Sequence, residues 1–171
     1  TAGASSAPTA GGTTSTAQHG AGVGPTAKYA PASLKGSSSG AGSAVLAIAA
    51  AKLGASRVYA VELDGEAIPD AERNVLRNDV ADRVHVFEAD AGALLPLLAP
   101  VRVVLANIIS SVLVELLPII AESLTDDGGA ILSGILQEER EEMLGVLAAT
   151  GWRVLDEDAE DIWWSVSIAR A

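Results

Sequence analysis

Four short stretches carry polar groups and glycines at spacings that suit ligand chemistry. Gly40-Ala41-Gly42-Ser43-Ala44 stands directly before an apolar helical run. Glycines there let the backbone approach a ligand closely, and the N–H groups of the helix start carry partial positive charge. Taken alone, Gly40 and Gly42 read equally as the end of a linker. Glu62 closes a strand-like run about twenty residues beyond the glycines. A carboxylate at that place can accept both ribose hydroxyls of an adenosine ligand. Asp64 can do the same or cap the next helix. Glu88-Ala89-Asp90 ends the following strand-like run, and an acidic side chain there can take a hydrogen bond from an adenine amino group or cap a helix. Asn107, in Ala106-Asn107-Ile108, offers a donor and an acceptor at a strand end. It can face a ligand or serve as an N-cap.

These residues need strands to carry them and helices to space the strands. Val45 to Leu53 reads as a helix ended by Gly54, and Arg57 to Leu63 as a strand. A helix to about Asn78 follows, with Ile68, Ala71 and Val75 on one face and Pro69 in its first turn. Arg83 to Glu88 is a strand, Ala93 to Leu98 a short helix, and Val101 to Ala106 a buried strand. Ile109 to Leu124 is a long apolar helix containing Pro118. Asp127-Gly128-Gly129 is a turn into the strand Ala130 to Ser133. Gln137 to Ala149 is amphipathic, with Met143, Leu144 and Leu147 inward and a Glu-rich outer face. Trp152 to Leu155 and Ile162 to Ile168 follow without a helix between them. Alternating strands and helices imply a doubly wound α/β sheet, and the last pair implies an antiparallel hairpin at its end.

Composition divides the chain near residue 40. Residues 1–39 are almost entirely Ala, Gly, Ser, Thr and Pro, with no Asp or Glu. Such a stretch buries too little apolar surface to offset chain entropy, so it is expected to be disordered, and residues 40–171 to form the working domain. The whole chain has 171 residues, 49% of them hydrophobic, and a formal net charge of −11. That charge disfavours a nucleic-acid backbone and favours a basic partner. The chain contains no Cys and only His19 and His85, which gives neither disulfides nor a zinc cluster. No apolar run suits a membrane span. The chain begins with Thr1, which reads as a fragment or a processed product.

From Gly40 onward the sequence resembles the ribosomal protein L11 methyltransferase family. Gly40 to Ala55 is similar to the family's first motif, Val61-Glu62-Leu63-Asp64 to its acidic second motif, and Val104 to Ile109 to the signature after its fourth strand. Gly128 to Leu136 and Trp163 continue the likeness in order. The resemblance implies a class I methyltransferase sheet, S-adenosylmethionine as cofactor, and transfer of a methyl group to lysine side chains or the N-terminal amine of ribosomal protein L11. By matching positions it implies Gly40, Glu62 and Asn107 as cofactor contacts, to which the reading of the strand ends and glycine stretch adds Gly42, Ser43 and Asp90. With such a ligand, the donor and acceptor of Asn107 suit the residue beside the reacting centre, holding the methionine moiety or the acceptor amine. No metal is required, because a sulfonium is already a good leaving group and the protein mainly aligns amine and methyl. A cytoplasmic setting follows, or a plastid or mitochondrion if residues 1–39 are a targeting remnant.

The sequence departs from the family in three places. Lys35-Gly36-Ser37-Ser38-Ser39 stands where an apolar first strand ending in Asp belongs, so that strand is expected to be missing or replaced. Ala44 takes the place of the motif's third glycine. The family's N-terminal recognition domain is not recognisable. A small-molecule methyltransferase on the same fold, and a truncated domain without catalysis, are the alternatives. The terminal hairpin and Ala106-Asn107-Ile108 argue against a nicotinamide-dependent dehydrogenase.

Overall fold

A computed structural model describes residues 28–33 and 43–171. Among the described residues seven strands and five α-helices follow in the order β1 (Lys28–Ser33), α1 (Val45–Lys52), β2 (Arg57–Glu62), α2 (Ile68–Arg77), β3 (Val84–Glu88), α3 (Ala91–Leu98), β4 (Val101–Asn107), α4 (Ser110–Ser123), β5 (Leu124–Leu136), α5 (Arg140–Ala149), β6 (Trp152–Glu160) and β7 (Trp163–Arg170). The strands form one sheet in the order β3-β2-β1-β4-β5-β7-β6. The first five run parallel, while β7 is antiparallel to both β5 and β6. This is the doubly wound sheet with a closing hairpin that the alternation of periods implied. The hairpin's second strand inserts between β5 and β6.

The helices form where the apolar spacing allows one face to be buried. In α4, Leu113, Leu116, Leu117 and Ile120 repeat at three- and four-residue intervals and are all buried. Pro118 lies inside the same helix. In α2, Ala71 and Val75 are the buried pair, and Pro69 falls in the first turn, where its missing N–H costs nothing. Met143 and Leu147 seat α5 on the sheet, with Leu144 partly buried beside them. Complete burial of side chains such as Leu113, Leu132, Ile135 and Leu147 contributes roughly 1.5–3 kcal/mol each.

Three expectations need correction. A strand does occupy the first-strand position. It is Lys28–Ser33, paired in parallel with β2 on one side and β4 on the other, so a central strand lies within the stretch expected to be disordered. The rest of residues 1–39 lies outside the described residues. The sequence of β1, Lys-Tyr-Ala-Pro-Ala-Ser, hides the strand: it lacks an apolar run, and Pro31 removes a ladder donor from a central strand. Second, Asp127-Gly128-Gly129 does not precede β5 but lies within it. Val101 pairs with Leu124 and Val103 with Gly129, so residues between Leu124 and Gly129 bulge from the ladder. Arg170 holds this bulge, donating to the carbonyl oxygen of Thr125 at 2.8 Å and to Asp126 at 3.2 Å. Third, β6 does not stop at Leu155 but continues through acidic residues to Glu160, with a bulge between Val154 and Asp156.

Candidate functional site

The sheet order reverses between β1 and β4, and in open α/β sheets the crevice beyond the carboxyl ends of such strands is where ligands bind. Ala32 of β1 pairs with Val61 on one side and with Ala106 on the other. Glu62 and Asn107 therefore stand one residue further along, flanking the end of β1. Two strand spacings put their backbones about 10 Å apart. The two residues stand on opposite sides of the strand where the order reverses.

Glu62 is buried, with 6% of its surface exposed. Its Oε1 accepts the N–H of Asp64 at 2.9 Å, and Oε2 has no partner among the described residues. A buried carboxylate oxygen lacking a donor is costly unless a ligand or water completes it. This suits a pair of ribose hydroxyls. Asp64 serves the turn before α2, where its Oδ1 accepts the N–H of Glu66 at 3.1 Å. Gly65 follows, and a Cβ placed there would stand 2.8 Å from Glu88 Oε1, so the end of β3 lies against this turn.

Asp90 is the N-cap of α3, its Oδ1 accepting the N–H of Ala93 at 2.8 Å. The capping reading is thus realised, and the residue is exposed at the carboxyl end of β3. Asn107 is not an N-cap: α4 begins at Ser110 after Ile109, without a side-chain cap. The Asn107 side chain is exposed and makes no hydrogen bond among the described residues. Neither its donor nor its acceptor is engaged by another described residue.

Gly40 and Gly42 lie outside the described residues. Ser43 is the first residue of the glycine motif to be seen, and its carbonyl oxygen accepts from Asn74 Nδ2 at 3.2 Å, which fixes the start of α1 to α2. Ala44, at the third-glycine position, has φ 56°, the left-handed region that favours glycine. The substitution therefore falls where a Cβ is strained.

Two residues that the sequence reading did not single out complete the site. Gly134 has φ +81°, and a Cβ there would stand 2.8 Å from Asn107 Oδ1 and 2.9 Å from the backbone N and O of Ile108. The N–H of Ile108 donates to the carbonyl oxygen of Ser133 at 3.1 Å. Glycine alone lets β5 come this close to the Asn107 turn. Glu139 was expected on the solvated face of the α5 region. Its carboxylate instead accepts from Ser110 Oγ at 2.7 Å and from the N–H of Leu136 at 3.0 Å. A glycine after a strand run was a visible signal for the first; nothing in the local pattern separated Glu139 from the neighbouring glutamates.

Comparison with known proteins agrees with this geometry. The family profile described as Ribosomal protein L11 methyltransferase (PrmA) matches residues 37–171. A ribosomal protein L11 methyltransferase of Desulforamulus reducens is 42% identical over 127 residues, covering 74% of this chain and 40% of its own length. The chain thus spans about two fifths of such relatives. The crystal structure of a ribosomal protein L11 methylase from Lactobacillus delbrueckii subsp. bulgaricus superposes with a TM-score of 0.72 at 27% identity, covering 87% of this chain and 72% of that one. M. capricolum TrmK, solved with S-adenosyl-homocysteine, shares the fold with a TM-score of 0.66 at 14% identity, covering 84% of this chain and 62% of that one. The matched span, the sheet order and the motifs at the strand ends lead to one assignment: the chain belongs to the ribosomal protein L11 methyltransferase family.

Proposed function

We propose that this chain is the catalytic part of an S-adenosylmethionine-dependent methyltransferase acting on amino groups of ribosomal protein L11. The observation that carries the reading is the pairing across the β1 end of a buried, half-satisfied carboxylate, Glu62, with an uncommitted amide, Asn107. S-adenosylmethionine, when bound, supplies an electrophilic methyl carbon on a sulfonium that leaves as a neutral thioether. Glu62 accepts the ribose hydroxyls with the oxygen that Asp64 leaves open. The glycine motif lets the backbone come close to the rest of the ligand, and the Asp90 oxygen that does not cap α3 takes the adenine amino group. Asn107 orients the acceptor: its carbonyl oxygen takes an N–H from the neutral amine and so directs the nitrogen lone pair. With the amine held on Asn107 beside the methyl group that the bound cofactor would supply, the proton that the nitrogen must shed would pass to water. A net charge of −11 draws a basic protein substrate toward this acidic chain. A ribosomal protein as substrate sets the reaction in the cytoplasm.

Titration calorimetry with S-adenosylmethionine tests the site. Glu62→Ala is expected to weaken binding by about 1–3 kcal/mol, the scale of hydrogen bonds to a charged group. If Glu62→Ala and Asn107→Ala both bind as the parent does, the proposed site is wrong.

A further inference from the structure

Glu139 lies in the 3-10 turn Gln137–Glu139 between β5 and α5, and it joins two segments that are distant in sequence. One oxygen accepts the N–H of Leu136, which closes its own turn. The other accepts the hydroxyl of Ser110, 29 residues away, at 2.7 Å. A cap for the local turn has no need of the second contact. Ser110 is the first residue of α4 and stands three places after Asn107. Because α4 has no side-chain N-cap, this charge-assisted bond is the described side-chain contact that fastens its first residue. At the other end of the same short turn, Ile108 bonds Ser133, and a Cβ at Gly134 would stand 2.8 Å from Asn107 Oδ1. The Asn107–Ser110 turn is therefore held at one end by the last residues of β5 and at the other by Glu139 just beyond them.

We propose that Glu139 is a positioning residue for methyl transfer: by holding Ser110 against Leu136 it sets where the Asn107 amide stands in the crevice. The inference rests on the reading of Asn107 given above. It assigns Glu139 no contact with substrate or cofactor. Its effect passes through the turn, so loss of the carboxylate lets the amide wander while leaving the Glu62 side of the crevice intact.

The test compares Glu139→Ala and Glu139→Gln, each alone and combined with Asn107→Ala. Two readouts are used: amide hydrogen exchange by NMR at Ile108, Val112 and Leu113, and kcat and KM for methylation of ribosomal protein L11. Glu139→Ala is expected to speed exchange at these amides about tenfold or more, as expected for a locally released turn. It should lower kcat by about tenfold while KM for S-adenosylmethionine stays within about twofold, the pattern of a lost transition-state alignment. Glu139→Gln should restore both to within about threefold, because its carbonyl can accept from Leu136 and its amino group can donate to Ser110. In the Asn107→Ala background, Glu139→Ala should lower kcat no further, since coupled residues are not additive. Unchanged exchange in Glu139→Ala, or an equal drop in kcat in both backgrounds, overturns the proposal. An Asn107→Ala chain with the parent's kcat, or a parent chain with no transfer, sinks the reading of Asn107 instead; the exchange data still decide whether Glu139 holds the turn.

Discussion

The two halves of the sheet are packed with different materials. Around β4, β5, β7 and β6 the core gathers Leu113, Leu117, Ile120, Leu132, Ile135, Leu147 and Ile168, with Trp152 and Trp164. Around β2 and β3 it consists of Ala47, Ala50, Ala51, Ala55 and Ala60, with Val58, Val75, Val80, Val84 and Ile48. Small side chains let α1 lie close to the strands, but each removes little apolar area from water. The heavier half carries Asn107 and its clamp. The lighter half carries Glu62 and the start of α1. One side of the crevice is thus braced by its own core, while the other is expected to gain most from a bound ligand.

The largest test of this contrast is truncation in the heavy half. Ile168→Ala, at a site with no exposed surface, should cost about 2–5 kcal/mol in urea unfolding. Next comes Gly134→Ala, which adds a Cβ against Asn107 and Ile108 at a positive φ. A loss of about 2–4 kcal/mol is expected, since overpacking and a left-handed backbone both contribute. Chemical denaturation measures it, and a neutral result would show that the Asn107 turn can yield. Val58→Ala in the light half removes two buried carbons, which at roughly 0.8 kcal/mol each predicts about 1.6 kcal/mol. Were Val58→Ala as costly as Ile168→Ala, the two halves would not differ as argued.

Smaller effects sharpen the same picture. Ala44→Gly relieves the strained start of α1 but loosens the unfolded chain, so a net gain of about 0.5 kcal/mol is expected in thermal melts. A destabilised Ala44→Gly would mean that this residue is not held at positive φ. The smallest effect lies at the outer face of the heavy half. There Glu157 receives Arg140 Nε at 2.7 Å and Trp164 Nε1 at 3.0 Å. The hydrogen bond from Arg140 comes first in holding the Glu157 carboxyl below its ordinary range, and that from Trp164 adds to it. A carboxyl lowered in the folded state stabilises the fold above its unfolded pKa, and the gain disappears as pH falls through the folded value. The difference in Tm between the parent and Glu157→Gln should therefore be flat near neutrality and close in acid. A gap that persists in acid would assign the effect to packing rather than charge. Arg140 is raised from a value already far into alkali, mainly by the same hydrogen bond. Its contribution persists through neutral pH and would be lost only as pH rises through that raised value.

The sequence by itself determined the alternation of strands and helices from Val45 onward, because hydrophobic periods of two and near 3.6 are written locally and each element buries one face. It also determined which strand ends carry Glu62, Asp90 and Asn107. The tertiary structure decided the rest. It admitted Lys28–Ser33 as a central strand although the segment has no apolar run, because ladder bonds to β2 and β4 come from backbone groups that any composition supplies. It absorbed Gly128 into a bulge of β5, since pairing with β4 extends beyond the turn signal. It made Asp90 a cap and left Asn107 uncapping, a choice set by where α3 and α4 begin rather than by residue type. It also turned Glu139 inward to Ser110 across 29 residues, a contact whose partner no local pattern names. Spacing along the chain reports which face a side chain takes, whereas its partner depends on how distant segments are brought together.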